Sequence, residues 1–104
     1  MDRVRHVLAL AALSLAATGA LAQAPDALQA RNWAAACANC HGTNGNAQGG
    51  VALAGMSRDE MVQKMIAFKN GSRPATIMHQ LAKGYSDEQI AAIAGYFAAQ
   101  RRAP

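Results

Sequence analysis

Aromatic residues are scarce in this chain. Its 104 residues include one Trp, two Tyr and two Phe. Aromatic side chains contribute more buried area than most others, so five of them provide little material for a core. A chain of this length already buries a modest fraction of its surface. We therefore do not expect protein side chains alone to form a self-sufficient core.

The chain also lacks a long apolar run. Val7–Ala17 has eleven residues and is interrupted only by Ser14, whereas a membrane-spanning helix needs about 20. A basic head precedes this run and a small-x-small triplet follows it: Arg3, Arg5, His6 and Ala20-Leu21-Ala22. This order is typical of a cleaved secretory signal. We predict that residues 1–22 are a signal peptide, and that residues 23–104 form one periplasmic domain without stable membrane insertion.

Clustered charge of one sign is missing as well. Residues 23–104 contain eight Lys or Arg and five Asp or Glu, and the basic residues are scattered. Nucleic-acid binding calls for a basic stripe or patch, so we expect no nucleic-acid partner. The charges fit an ordinary solvated surface. The alternative is a weak positive field that steers docking to acidic protein partners.

Cysteine occurs only twice, and both copies lie in the pentad Cys37-Ala38-Asn39-Cys40-His41. The C-x-x-C-H pattern is typical of c-type haem attachment. Two cysteines three residues apart project from the same side of a helical turn. Their sulfurs can then bond the two vinyl groups of one porphyrin, while His41 directs its imidazole at the iron.

Two other kinds of site use a C-x-x-C pair, namely a redox dithiol and half of a zinc site. The sequence has no second Cys pair and no strand-helix-strand pattern, and a His directly follows Cys40. We therefore predict one haem c with its iron, covalently bound through Cys37 and Cys40, with His41 as an axial ligand. A buried haem would also supply the missing apolar core.

The pentad and several later stretches resemble the class I c-type cytochromes. The matching stretches are Cys37–Gly45, Leu53-Ala54-Gly55, Arg73–Met78 and Lys83–Asp87. They are most similar to the cytochrome subunit of flavocytochrome c sulfide dehydrogenase and its single-domain relatives. The resemblance extends from about Ala30 to Ala99. It implies an all-α fold in which three to four short helices wrap around one covalently bound haem.

Capping residues predict three helix starts. They are Asp26, Ser57 and Ser86, each with Gln or Glu three residues later, as in a capping box. Asn70-Gly71 should end the second helix. We expect the first helix to bury Leu28, Trp33 and Ala36, and the last to bury Ile90, Ile93, Ala94 and Phe97. The last helix should pack across the first, with Gly95 permitting a close helix crossing.

The glycine-rich stretch from Gly42 to Gly55 is predicted to be a loop. In the family that the chain resembles, a proline often precedes the Leu-Ala-Gly triplet, and its carbonyl accepts the proton on the far nitrogen of the axial His. This chain has Gly50-Val51-Ala52 there instead. A backbone carbonyl can still take that role.

The second axial ligand must come from another part of the chain. The candidates are Met56, Met61, Met65, Met78 and His79, because His6 leaves with the signal peptide. Met61 and Met65 share a helical face with Phe68, which favours core packing. Met78 follows the break at Pro74 and corresponds to the ligand of the family that the chain resembles. We predict Met78, with His79 and Met56 as the alternatives.

The sequence contains no other catalytic constellation. The acidic pairs Asp59-Glu60 and Asp87-Glu88 lie in capping boxes, which explains them without acid-base chemistry. A haem with both axial positions filled supports outer-sphere electron transfer. We therefore predict a periplasmic one-electron carrier with redox protein partners, not an enzyme.

Two alternatives to a free carrier remain open. The resemblance implies a permanent haem subunit of a sulfide dehydrogenase complex, which would accept electrons from a flavoprotein subunit. Members of that family often carry two haems, whereas this chain has one C-x-x-C-H pentad. The other alternative is catalysis at the haem itself, which would require a labile axial ligand.

Overall fold

The computed structural model describes residues 25–104. The predicted signal peptide, residues 1–22, lies outside this range. Within these residues, five α-helices follow one another: α1 (Ala27–Ala34), α2 (Ala38–His41), α3 (Arg58–Asn70), α4 (Met78–Ala82) and α5 (Asp87–Ala98). Two 3-10 turns, Ala35–Cys37 and Thr43–Gly45, flank α2. Residues 25–104 contain no β-strand, so the predicted all-α fold is confirmed.

The predicted helix caps are present in the structure. The side chains of Asp26 and Ser57 accept hydrogen bonds from the backbone N–H groups of Gln29 and Glu60. Ser86 forms a complete capping box with Gln89. Gly71, with a φ of 82°, ends α3 in the left-handed conformation that glycine tolerates.

Helix α5 is the centre of the packing. It contacts both α1 and α3, and α3 also contacts α4. Its residues Ile90, Ile93, Ala94 and Phe97 are buried, as predicted. Ile93, Ala94 and Phe97 join Ala34 and Met61 in one buried cluster, so the last helix does pack across the first. No helix within residues 25–104 is both long and apolar enough to cross a membrane.

The predicted inner face of α1 is partly wrong. Its buried residues are Ala30 and Ala34, whereas Leu28 is 63% exposed and Ala36 is also exposed. Leu28 and Ala36 each stand two residues from a buried alanine, which is about 200° around the helix. Trp33 is half-buried and packs against the core, as expected.

The expected helix crossing at Gly95 is also absent from the described residues. A Cβ atom at Gly95 would find its nearest neighbours, the Cδ and Nε atoms of Arg58, at 3.9 Å. That distance is an ordinary van der Waals separation. Small side chains from both helices, Ala34 of α1 and Ala94 of α5, lie instead in the buried cluster that these helices share.

Candidate haem site

The pentad occupies the end of one helical run. Cys37 closes the 3-10 turn after α1, while Cys40 and His41 belong to α2. Cys37 is half-buried and Cys40 is exposed. A spacing of three residues in helical backbone places their side chains on neighbouring positions of one surface. The two sulfurs can therefore reach one flat ligand.

Burial distinguishes the two thiols. It raises the pKa of the Cys37 thiol, an effect that a hydrogen bond with the residue's own backbone partly offsets. Nearby Tyr85 packs against the same core, and burial, followed by the charge of ionised Cys37, raises the pKa of its phenol.

His41 is oriented by the loop that follows it. Its Nδ1 atom lies 2.7 Å from the carbonyl oxygen of Val51. A carbonyl only accepts, so Nδ1 carries the proton and the lone pair of Nε2 is available to a metal. This contact confirms that a backbone carbonyl replaces the proline carbonyl of the resembled family. Metal-bound imidazoles are usually oriented in this way.

The loop that supplies Val51 is closed at its base. The N–H groups of Leu53 and Ala54 both donate to the carbonyl of Gly45, at 2.8 and 3.1 Å. Gly42 ends α2 with a φ of 78°, and a Cβ there would lie 2.5 Å from the carbonyl oxygen of Asn46. Glycine at this position lets the chain turn back immediately after the histidine.

The structure separates the methionine candidates. Met61 is buried in the core, and Met56 and Met65 pack against it. Met78 lies at the start of α4, is half-buried, and is not part of that core cluster. Next to it, His79 has a buried Nδ1 atom without a hydrogen-bond partner in the described part of the chain.

These residues fit a covalently attached haem. Two thiols share one helical surface, one imidazole presents a free Nε2 beside them, and apolar side chains remain exposed at Val51, Ile77 and Leu81. A flat apolar ligand would cover such surface. Within residues 25–104, no group of three or more His, Cys, Asp or Glu side chains could hold a metal ion. The zinc alternative therefore finds no further ligands there.

Comparison with known proteins gives the family. The family profile described as "Cytochrome C oxidase, cbb3-type, subunit III" matches residues 24–97. The chain belongs to the cytochrome c family. It is 47% identical over 62 residues to the cytochrome subunit of sulfide dehydrogenase from Chlorobaculum tepidum, an alignment that covers 59% of this chain and 56% of that protein.

Two further cytochromes align over more of the chain. Cytochrome c4 from Pseudomonas aeruginosa is 37% identical over 91 residues, which cover 86% of this chain and 45% of that protein. Cytochrome c-553 from Nitratidesulfovibrio vulgaris (strain Miyazaki F) is 33% identical over 103 residues, which cover 92% of this chain and 96% of that protein. The alignments thus span about half the length of the first two relatives and nearly all of the third.

The comparisons confirm the resemblance, the cofactor and the class of function. The chain belongs to a family of electron-transfer proteins whose members carry covalently bound haem c with its iron. When bound, the haem supplies an iron that cycles between Fe(III) and Fe(II), and so stores one electron.

Sequence reasoning missed several residues that position the site. Asn44, Asn46 and Arg102 make side-chain hydrogen bonds to residues 48 to 57 positions away. Asn46 and Arg102 join the loop to the segment after α5, and Asn44 accepts a hydrogen bond from the Tyr96 hydroxyl. No local sequence pattern indicates hydrogen bonds between residues so far apart in the chain. The positive φ of Asn44, 54°, agrees with the tolerance of asparagine for left-handed backbone.

Proposed function

We propose that this protein is a periplasmic one-electron carrier with a single His/Met-ligated haem c. Cys37 and Cys40 form the two thioether bonds, and His41 and Met78 provide the axial ligands. The observation that carries the proposal is the 2.7 Å contact between His41 Nδ1 and the Val51 carbonyl. It leaves Nε2 as the ligand atom, on the helical run that also holds both thiols.

The protein's own residues fix, shield and tune the cofactor. The thioether bonds hold it at α2, and the Val51 carbonyl fixes the tautomer of His41 and raises its basicity. Ile77, at the N-cap of α4, and Leu81, on α4, are exposed apolar residues that flank Met78 in the sequence, and they would help to exclude water from a haem held by Met78. A thioether ligand favours Fe(II) and raises the reduction potential.

Two structural observations support Met78 as the second ligand. Met56, Met61 and Met65 are engaged in core packing, and Met78 stands at the start of α4, outside that cluster. His79 remains the rival, because its Nδ1 is buried and unsatisfied among the described residues. Adjacent helical residues point about 100° apart, so both cannot bind the iron in one arrangement.

The ligand assignment is tested by comparing Met78→Ala with Met56→Ala. We expect the near-infrared sulfur-to-iron charge-transfer band of the oxidised protein to disappear in Met78→Ala and to persist in Met56→Ala. His79→Ala should also retain the band. Loss of the band in Met56→Ala, with retention in Met78→Ala, would overturn the assignment. Absence of the band from the wild-type protein would overturn methionine ligation altogether.

Export and haem attachment are tested on one sample. Protein recovered from the periplasm should begin at Gln23 and carry the mass of one haem that denaturation does not remove. The Cys37→Ala/Cys40→Ala variant should lack that added mass. An intact residue 1–22 segment, or a wild-type chain without the added mass, would contradict the proposal.

A second candidate is supported by the 47% identity to the cytochrome subunit of sulfide dehydrogenase. In this case the chain would be a permanent haem subunit that accepts electrons from a flavoprotein. Purification from the native periplasm, followed by a flavin absorbance scan, separates the two. A stoichiometric flavoprotein would favour the subunit, whereas a haem protein free of flavin favours the carrier.

Catalysis at the haem is tested with carbon monoxide. A carrier whose iron has both axial positions filled should bind no carbon monoxide in its reduced form. Binding to the native reduced protein would instead indicate a labile ligand, and would support catalysis.

A further inference from the structure

The segment after α5 crosses the loop that carries Val51. Residues 101–103 are joined to this loop by three hydrogen bonds. The Asn46 side-chain amide donates to the Arg101 carbonyl at 3.0 Å, and the Ala103 N–H donates to Asn46 Oδ1 at 2.7 Å. The Nε atom of Arg102 donates to the Ala54 carbonyl at 3.0 Å.

These bonds join the segment to the loop beside an open space. A cavity of about 780 Å³ lies between them, lined in part by Asn46, Ala52, Arg102 and Ala103. The Arg102 side chain lies over Gly55, where an added Cβ would be 3.3 Å from its Cγ and Nε atoms.

The bonded loop residues are the two ends of the stretch that carries Val51. Asn46 directly follows Gly45 at one end of the stretch, and Ala54 directly follows Leu53 at the other end. The N–H groups of Leu53 and Ala54 both donate to the Gly45 carbonyl. Val51 lies between these ends, and its side chain is 65% exposed. Its own side-chain packing therefore does little to fix the carbonyl that accepts from His41 Nδ1. Hydrogen bonds hold both ends of the loop, to the Gly45 carbonyl and to residues 101–103.

We infer that Asn46 and the 101–103 segment are positioning residues for the axial ligand His41. They hold the loop ends so that the Val51 carbonyl stays at hydrogen-bonding distance from Nδ1, and they act on the iron only through that contact. This inference rests on the proposed function, in which His41 Nε2 is an axial ligand.

The inference has a defined electronic consequence. A strong hydrogen bond from Nδ1–H makes an imidazole a better donor, which stabilises the higher oxidation state. If the loop relaxes and this bond lengthens, the Fe(III) form loses stabilisation and the reduction potential rises. We expect a threefold to tenfold change in the reduction equilibrium, which is about 28–59 mV for one electron.

The test compares Asn46→Ala and Arg102→Met with Ser86→Ala in the haem-loaded protein. Asn46→Ala removes two of the three hydrogen bonds. Arg102→Met removes the third, while a long apolar side chain still covers Gly55. Ser86→Ala is the matched control, because it weakens the capping box at the far end of α5 and makes no contact with the loop. All three should lower the melting temperature.

Only Asn46→Ala and Arg102→Met should alter the hydrogen bond of the axial ligand His41. In them we expect a higher reduction potential and faster solvent exchange of the His41 Nδ1 proton by NMR, with no change of either in Ser86→Ala. If Asn46→Ala does not accumulate with haem, Arg102→Met carries the test. A wild-type potential and exchange rate in the available variants would overturn the inference, since the segment would then be merely structural.

Failure of this inference is distinct from failure of the proposed function. A wild-type protein without the spectral signature of His/Met ligation would contradict the proposed function. A wild-type protein with that signature, whose Asn46 and Arg102 variants keep its potential, would contradict the positioning role alone.

Discussion

Gly45 is the residue at which the haem loop, α5 and the core meet. It is buried, it has a φ of 75°, and its carbonyl accepts the two hydrogen bonds that close the loop. A Cβ at this position would lie 2.8 Å from the Ala54 nitrogen and 2.9 Å from Phe97 Cδ1. Both the backbone conformation and the available space therefore require glycine.

Gly49 provides a control for the effect of backbone strain alone. Its φ is 81°, similar to that of Gly45, but an added Cβ would meet no atom within 4 Å. We predict that Gly49→Ala lowers the free energy of unfolding by about 1–2 kcal/mol, the cost of left-handed backbone for an L-residue. Gly45→Ala should cost about 2–5 kcal/mol, because overpacking adds to the strain. Denaturant unfolding of the two holoproteins measures the difference, and equal costs would refute it.

At the scale of single residues, the sequence predicts the chemistry better than it predicts the residues that support it. The spacing of Cys37, Cys40 and His41 is local, and a carbonyl near Val51 could be expected from the loop. The exposure of Leu28 was wrongly predicted because apolar character alone does not reveal which side of a short helix faces a partner. The contacts of Asn46 depend on a segment more than 50 residues away, so they emerge only from the folded chain.

At the scale of elements, α5 has the most complete start signal of the helices. Ser86 accepts from the Gln89 N–H at 3.1 Å, and the Gln89 side chain accepts from the Ser86 N–H at 2.9 Å. At the start of α3, Ser57 accepts from the Glu60 N–H at 3.2 Å, but the Glu60 carboxylate binds Lys64 instead of returning to the cap. Helix α5 thus begins with a complete capping box, whereas α3 has only the serine half of one.

This difference predicts unequal costs of removing the two caps. Ser86→Ala should lower the free energy of unfolding by about 1–2 kcal/mol. It removes the bond to the Gln89 N–H, and the loosened N-cap backbone then also weakens the bond that its own N–H donates to the Gln89 side chain. Ser57→Ala should cost about 0.5–1 kcal/mol. Thermal unfolding of the two holoproteins, followed by far-UV circular dichroism, measures both. A larger loss for Ser57→Ala would show that the reciprocal contact adds nothing.

The elements were predictable where amphipathic spacing and caps agree. In α5 they do, and all four predicted inward residues are buried. The start of α3 and its end at Gly71 were also predictable, because both depend on local hydrogen bonds. The division of the first helical run into α1, a 3-10 turn and α2 was not, since small and polar residues there have no strong local preference.

On the scale of the whole molecule, the hydrophobic core is unusually small. The buried hydrophobic residues within 25–104 are Ala30, Ala34, Ala54, Met61, Ala82, Ile90, Ile93, Ala94 and Phe97. Five of these nine are alanines, which bury little area each. Domains of this size need an additional source of stability. Covalently bound haem c supplies it in this family.

The folded state should therefore depend on haem attachment. We predict that the Cys37→Ala/Cys40→Ala protein, prepared without haem, loses most of its helicity and unfolds without a cooperative transition. The reason is that the remaining core cannot offset the conformational entropy of about 80 ordered residues. Circular dichroism melting measures this. Native helicity with a sharp melt would show that the protein core suffices by itself.

The backbone origin of the His41 acceptor has a consequence for how this protein can vary. Every amino acid offers the same amide oxygen, so exchanging the side chain at position 51 leaves the imidazole's partner chemically identical. A saturation library at position 51 should yield proteins with different surface properties but nearly the same midpoint potential. Substitutions at position 51 can therefore change the surface that meets a protein partner while the ligand field at the iron is conserved.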